Sequence, residues 1–221
     1  MNERIMHATR KISEPGPVIT ISRECGCSAS LLADNLNSQI NQRITDPELK
    51  WRWVNKEILK LASDELKMQQ DDFKRIVDGA DKNFMDEIVY SFTDKYYVTN
   101  TKARKMIEEV VRNLAIRGRA IIIGRGSEVL SQGIPRSLHV RLFAPMEWKI
   151  KAMCLRSNIT EAEAEKLVIQ VDKQRTKFKE YYLDKNQPRF LYDAEFNCAR
   201  IGQNEIVGLI LKIANYRSLL I

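Results

Sequence analysis

The run Ala120-Ile121-Ile122-Ile123-Gly124 constrains the fold more than any other stretch of the chain. Alanine followed by three β-branched residues leaves no polar face for water, so a strand made from it must be covered on both sides. Such strands belong to parallel sheets sandwiched between helices. Four further segments read as short strands: Val18-Ile19-Thr20-Ile21-Ser22, Trp51 to Asn55, Ser137 to Phe143 and Glu195 to Cys198. Helical patterns separate them. Leu31, Leu32, Leu36 and Ile40 share one face. Lys56 to Lys67 is amphipathic, and Lys102 to Arg117 is a helix stopped by Gly118. A helix runs from Met146 to Arg156, after Ala144-Pro145. Thr160-Glu161-Ala162-Glu163 is a capping box that opens a long helix to about Tyr182. Asn204 to Tyr216 is the last helix. Strands alternating with helices predict an α/β fold with a parallel sheet, and ligands in such sheets sit at the carboxyl ends of the strands.

With 221 residues the chain can form one core plus a smaller subdomain. Residues 1–14 read as a flexible N-terminal arm, and 15–221 as a single domain. The charged stretch Gln69 to Asn100 carries scattered aromatics and reads as helices of a peripheral subdomain. No apolar run is long enough to span a bilayer and Met1 to Glu14 has no apolar signal core, so a cytoplasmic protein is expected. Cys25 and Cys27 are too close for an ordinary disulfide, and the two histidines, His7 and His139, stand outside any ligand-spaced group. The cysteines therefore read as small reduced hydrophobes rather than metal ligands. The net charge of +7 suits an acidic partner. Because the basic residues are spread along the chain, nucleic acid is a weaker choice than a phosphate-bearing small ligand.

Three features point to where that ligand lies. The first strand runs into Gly26, Cys27, Ser28, Ala29 and Ser30, all small, and then into a helix. Small residues let a backbone approach phosphates, and the helix N-terminus offers unpaired N–H groups; Ser28 or Ser30 also has the chemistry of a helix cap. The full phosphate-loop pattern with its lysine is absent. Second, Gly124-Arg125-Gly126 places an arginine directly after the strongest strand, where a planar guanidinium suits a phosphate or carboxylate. Third, Asp172 and Arg175 share a face of the long basic helix at i,i+3. Each has a plain structural alternative: a tight connection, an exposed turn arginine and a solvated ion pair.

Together these segments resemble the cytidylate kinase-like family of the P-loop nucleoside monophosphate kinases. Ile19-Thr20-Ile21-Ser22-Arg23-Glu24 with Gly26 resembles its opening I-S-R-E/Q-x-G-S-G-G, and Trp53-Val54-Asn55-Lys56-Glu57-Ile58 its F-Y-D-K-E-I. Ile122-Ile123-Gly124-Arg125-Gly126 resembles its V-G-R-G. Asp172-Lys173-Gln174-Arg175, Tyr181-Tyr182, Asn197 and Arg200 resemble its D-K-x-R…Y-Y…N-T-S-R ending. The resemblance implies a three-layer α/β/α P-loop kinase-like fold on a parallel five-stranded sheet. It also implies a helical NMP-binding region over about 56–100 and a lid over about 157–190. The implied activity is phosphoryl transfer from ATP, with Mg2+, to CMP, dCMP or a related small acceptor. By position, Gly26, Cys27, Ser28, Ala29 and Ser30 would cradle donor phosphates and Arg125 would hold the acceptor's phosphate. Arg175 would stabilise the transferred group and Asp172 would orient it or a neighbouring arginine. Asn55 would line the nucleotide site, and Arg200 would lie near the donor. The chain also departs from the pattern. Ala29 stands at the phosphate-loop lysine, Leu31 at the magnesium-binding threonine, Asn55 at the acid of F-Y-D and Lys149 at a usual arginine. Arg23 is the candidate replacement for the missing charge. The eroded loop keeps a second reading open, a nucleotide-binding protein of the same fold with weak or no catalysis. A basic nucleic-acid-binding module is a third.

Overall fold

The structure is a computed structural model and describes residues 15–55, 101–183 and 190–220. The expected arm, the helix Lys56–Lys67, the NMP-binding region of 56–100 and residues 184–189 of the lid lie outside the described residues. Five strands form one sheet: β1 (Val18–Arg23), β2 (Arg52–Val54), β3 (Ala120–Ile123), β4 (Ser137–Phe143) and β5 (Ala194–Asn197). Their order is β2-β3-β1-β4-β5 and every pairing is parallel. Six α-helices accompany them among the described residues: α1 (Ala29–Asn41), α2 (Thr101–Arg117), α3 (Ser127–Leu130), α4 (Met146–Ser157), α5 (Glu161–Glu180) and α6 (Gln203–Tyr216).

Alternation along the strands divides the core into two layers. Ile19 and Ile21 of β1, with Ile121 and Ile123 of β3, pack against Leu32 and Leu36 of α1 and Ile206 and Ile210 of α6. Val18, Ala120 and Ile122 point the other way, onto Ile107, Val111 and Leu114 of α2. The four residues of β3 are all fully buried, as its apolar run requires. Each buried isoleucine side chain contributes roughly 1.5–3 kcal/mol relative to exposure. A smaller cluster joins Met153 of α4 to Ala164, Val168 and Val171 of α5, and Cys25 sits in it. That cluster fixes the long helix against the turn after β1.

Local sequence sets the boundaries. β1 gains Arg23 beyond the expected end, because Arg23 pairs with Leu142 of the seven-residue β4. β2 is only three residues long. The Trp51 backbone is taken instead by the Asn41 side chain, which accepts from its N–H and donates to its carbonyl, both at 2.8 Å. β5 begins at Ala194, one residue early, since Ala194 is already in register with Val140. α2 stops at Gly118, which adopts φ +74° while its N–H reaches the Leu114 carbonyl. The Thr160–Glu163 capping box is present, and α5 ends at Glu180 rather than Tyr182. Ser28 stands at the N-cap of α1 but its side chain makes no capping bond, contrary to expectation; Cys27 and Glu24 organise the turn through backbone bonds. The 3₁₀ turn Pro47–Leu49 and the four-residue α3 were not expected, being too short to show a period. Among the described residues no helix is long and apolar enough to cross a membrane.

Candidate functional site

β1 lies at the centre of the sheet, and the chain crosses over it between β3 and β4. That crossover opens a crevice outside the carboxyl ends of these strands. A cavity of about 110 Å³ occupies it, lined by Arg23 from β1, Gly124, Arg125 and Glu128 after β3, and Asp172 and Arg175 from α5. Three arginines that are 102 and 50 positions apart in sequence (23 to 125, 125 to 175) therefore face one small space.

Two glycines make the approach feasible. Gly124 has φ +67°, and the Arg23 guanidinium lies where its Cβ would be. Gly126 has φ +65°, and a Cβ there would come within 2.8 Å of the Tyr182 ring. Arg125 between them is itself left-handed, at φ +60°, and only 6% exposed. A bulky residue held in that conformation is uncommon and strained. Arg175 reaches across from α5, its Nη1 donating to the Arg23 carbonyl at 3.3 Å. Tyr182 donates its hydroxyl to the Arg104 carbonyl at 3.1 Å, and burial raises its pKa.

An ion-pair chain runs along the rim. Glu195 meets Arg141 Nη1 at 3.0 Å, and Arg141 Nη2 meets Glu24 at 2.6 Å. Glu24 meets the Lys149 ammonium at 2.9 Å, and Lys149 meets Asp172 at 2.8 Å. Asp172 ends the chain by accepting from the Cys25 N–H at 2.6 Å. Burial alone would raise the Glu24 pKa, but the bonds from Lys149, Arg141 and the Ala144 N–H outweigh it and hold it below the usual value. Burial likewise works against the Lys149 charge, and its two carboxylates overcome that and raise its pKa. The partner of Asp172 is thus a lysine, not the arginine expected for it. Lys149 is 7% exposed and shares the buried face of α4 with Met153, four residues on. A lysine on the core-facing side of a helix was the signal for this network.

The turn after β1 is more closed than its small residues suggest. Gly26 takes φ +85° against the α4 backbone, 3.4 Å from the Lys149 carbonyl oxygen as measured from an added Cβ. Cys27 and Ala29 are buried in the core with the α1 leucines, so neither offers a side chain to a ligand. Ser28 and Ser30 are half-buried. Ser28 borders a second cavity of about 190 Å³, between Trp148 and Arg156 of α4 and Cys198, Ile201 and Gln203 after β5. Arg200 is exposed in the turn next to that cavity and does not line it. Asn55 follows β2 at the same end of the sheet, since Val54 pairs with Ile122. The structure therefore gathers Arg23, Arg125, Asp172 and Arg175 in the crevice. It sets Ser28 at a second cavity, and leaves Arg200 and Asn55 lining neither. Glu24, Glu128, Arg141 and Lys149 join the site without having been expected there.

The residues at the turn do not form a protein-held magnesium site. Leu31, at the position of the family's threonine, has no oxygen and is 62% exposed. The nearby carboxylates Glu24 and Asp172 are already bound by cations, and the described residues contain no cluster of three metal-ligating side chains.

Comparison with known proteins agrees with this architecture. An uncharacterized protein from Eubacterium ventriosum superposes with a TM-score of 0.62 at 18% identity, over 90% of this chain and 98% of its own. Shikimate kinase from Bacteroides thetaiotaomicron superposes with a TM-score of 0.50 at 9% identity, over 90% and 98%. At these identities the likeness is one of fold, the P-loop kinase fold. No curated protein matches the chain in sequence. The sequence model described as the cytidylate kinase-like family, by contrast, matches residues 18–199, the whole sheet together with α1 to α5. With β1, β3 and α5 bringing its arginines to one crevice, the chain belongs to the cytidylate kinase-like family.

Proposed function

We propose that the protein is a nucleotide kinase that transfers the terminal phosphoryl group of ATP to CMP, dCMP or a related small phosphate acceptor. The observation that carries this is the convergence of Arg23, Arg125 and Arg175 on one cavity at the carboxyl ends of β1 and β3. Phosphoryl transfer asks little covalent chemistry of a protein; it asks for positioning and for positive charge around the moving group. In this reading Arg125, buried between two glycines, holds the acceptor's phosphate. Arg23 and Arg175 stabilise charge on the phosphoryl group as its bond to the ADP oxygen breaks and a bond to an acceptor oxygen forms. Arg23 supplies from β1 the charge that Ala29 does not. Magnesium would enter with the nucleotide and add positive charge at its phosphates. The N-terminus of α1 and the cavity beside Ser28 take the donor.

One observation favours a second reading, a nucleotide-binding protein with little turnover. The Cys25 N–H, a donor of the turn, is already given to Asp172. A coupled ADP-release assay with ATP, magnesium and CMP, dCMP, UMP or AMP decides between them. The kinase reading predicts turnover with at least one acceptor that falls on Arg175→Ala. Calorimetric binding of ATP with no turnover on any acceptor would leave the second reading. Proteins of nucleic-acid-binding type would instead show salt-sensitive binding to DNA or RNA.

A further inference from the structure

Glu128 is an acid on the wall of a cationic cavity, and the phosphoryl transfer just described has no use for it. It is 2% exposed. Its Oε1 accepts from the Tyr192 hydroxyl at 3.1 Å, while its Oε2 is buried with no hydrogen-bond partner. Among the described residues no salt bridge reaches it, unlike Glu24 and Asp172, the other acids on that wall. A buried carboxylate oxygen left unsatisfied is costly, and native structures seldom keep one without a reason. Tyr192 is braced in turn. Its hydroxyl, beside Ser22, accepts from the Lys179 ammonium at 3.3 Å, and that ammonium stands 5.5 Å from the ring centroid. Both Ser22 and Lys179 line the cavity. The Glu128 carboxylate is therefore held through one oxygen and left unpaired at the other, in the cavity wall three residues from Arg125.

A phosphate would be repelled by this oxygen; an O–H or N–H group would be bound. Resting on the kinase reading above, we propose that Glu128 is a specificity-determining residue that accepts a hydrogen bond from a hydroxyl or amino group of the acceptor. The cavity thus selects acceptors that carry such a donor close to their anionic group. Arg125 takes the anion and Glu128 takes the donor, so the two read different parts of one molecule.

The test is titration calorimetry of the full chain with CMP, dCMP, UMP and ATP. It uses wild type, E128L, E128Q and R125A, with thermal melting of each. Removing a charged hydrogen-bond acceptor should weaken CMP binding about tenfold or more in E128L, and about threefold in E128Q, which keeps the shape and a neutral acceptor. ATP affinity should be unchanged in both. The melting temperature of E128Q should stay near that of wild type, because its amide oxygen still accepts from Tyr192; a merely structural role predicts a lower melting temperature with CMP affinity unchanged. If E128L does not fold, E128Q carries the same comparison. Wild-type preference for CMP over dCMP assigns the sugar hydroxyl, and preference for CMP over UMP assigns the base amino group; either preference should vanish in E128L. CMP binding that depends on Arg125 but is unaltered in both Glu128 variants overturns this proposal alone. Absence of CMP, dCMP and UMP binding to wild type overturns the kinase reading and the proposal with it.

Discussion

Arg125 is the residue on which the geometry turns. It is buried, left-handed and flanked by glycines whose missing side chains make room for Arg23 and Tyr182. In the proposed reaction Arg125 holds the acceptor's phosphate; losing one such positioned charge lowers rate by on the order of 10²- to 10³-fold, and R125A should show that loss in kcat/KM with a small change in stability. G124A puts a methyl group into the Arg23 guanidinium at a positive φ. A left-handed non-glycine residue costs about 1–2 kcal/mol, so a modest fall in Tm should accompany a larger fall in turnover. Lys149 tests a different property. K149M leaves Glu24 and Asp172 facing each other without their shared cation. Breaking a buried pair costs about 3–5 kcal/mol, and the partial exposure of both acids puts this case at the lower end; urea unfolding reads it. The sequence showed Arg125 through its glycines and Arg175 through its motif. It could not show that Lys149 bridges two acids 148 positions apart (24 and 172), since ion pairs across a fold leave no local pattern.

At the scale of elements, α5 joins the site to the rest of the molecule. Its N-terminal half packs on α4 through Ala164, Val168 and Val171. Its last turns carry Phe178 into the α2 layer beside Ile107 and Leu130. Arg175 lies between these two anchors. Phe178→Ala should cost about 3–5 kcal/mol in urea unfolding and lower turnover at saturating ATP, because Arg175 loses the anchor one turn away. The strands were legible because their apolar runs are bounded by turn residues, and α5 because its capping box is local. The short α3 was not legible, although it carries Glu128, because four residues hold no period. The turn after β1 was legible as a sequence of small residues but not as a packed one. Its closure comes from α4, whose arrival depends on the whole sheet.

For the whole molecule, the sign of the pH dependence follows from three groups. His139 is buried, with Nδ1 2.8 Å from the Thr20 hydroxyl, and burial holds its pKa below the usual 6.5. The unfolded chain therefore takes up a proton at this residue first, so stability is present above pH 6.5 and falls as pH drops through the folded value. Burial works to raise the pKa of Glu24 and of Asp193, but bonds to Lys149 and Arg141, and to Arg217 and the His139 N–H, lower both. Their contributions hold above the unfolded values of 4.5 and 3.8 and disappear below them. Thermal melting should decline first below pH 6.5 and again below 4.5, with the first step missing in His139→Gln.

In the proposed reaction the crevice between β1 and β3 is where phosphate is held for transfer. The direct measurement is the rate of ADP formation from magnesium-ATP with CMP as acceptor, for wild type, R125A and R175A at matched protein concentration. The expected result is CMP-dependent turnover in wild type and a loss of at least a hundredfold in each variant. CMP-dependent turnover that survives in both variants would contradict it, because the phosphates would then be held elsewhere on the molecule.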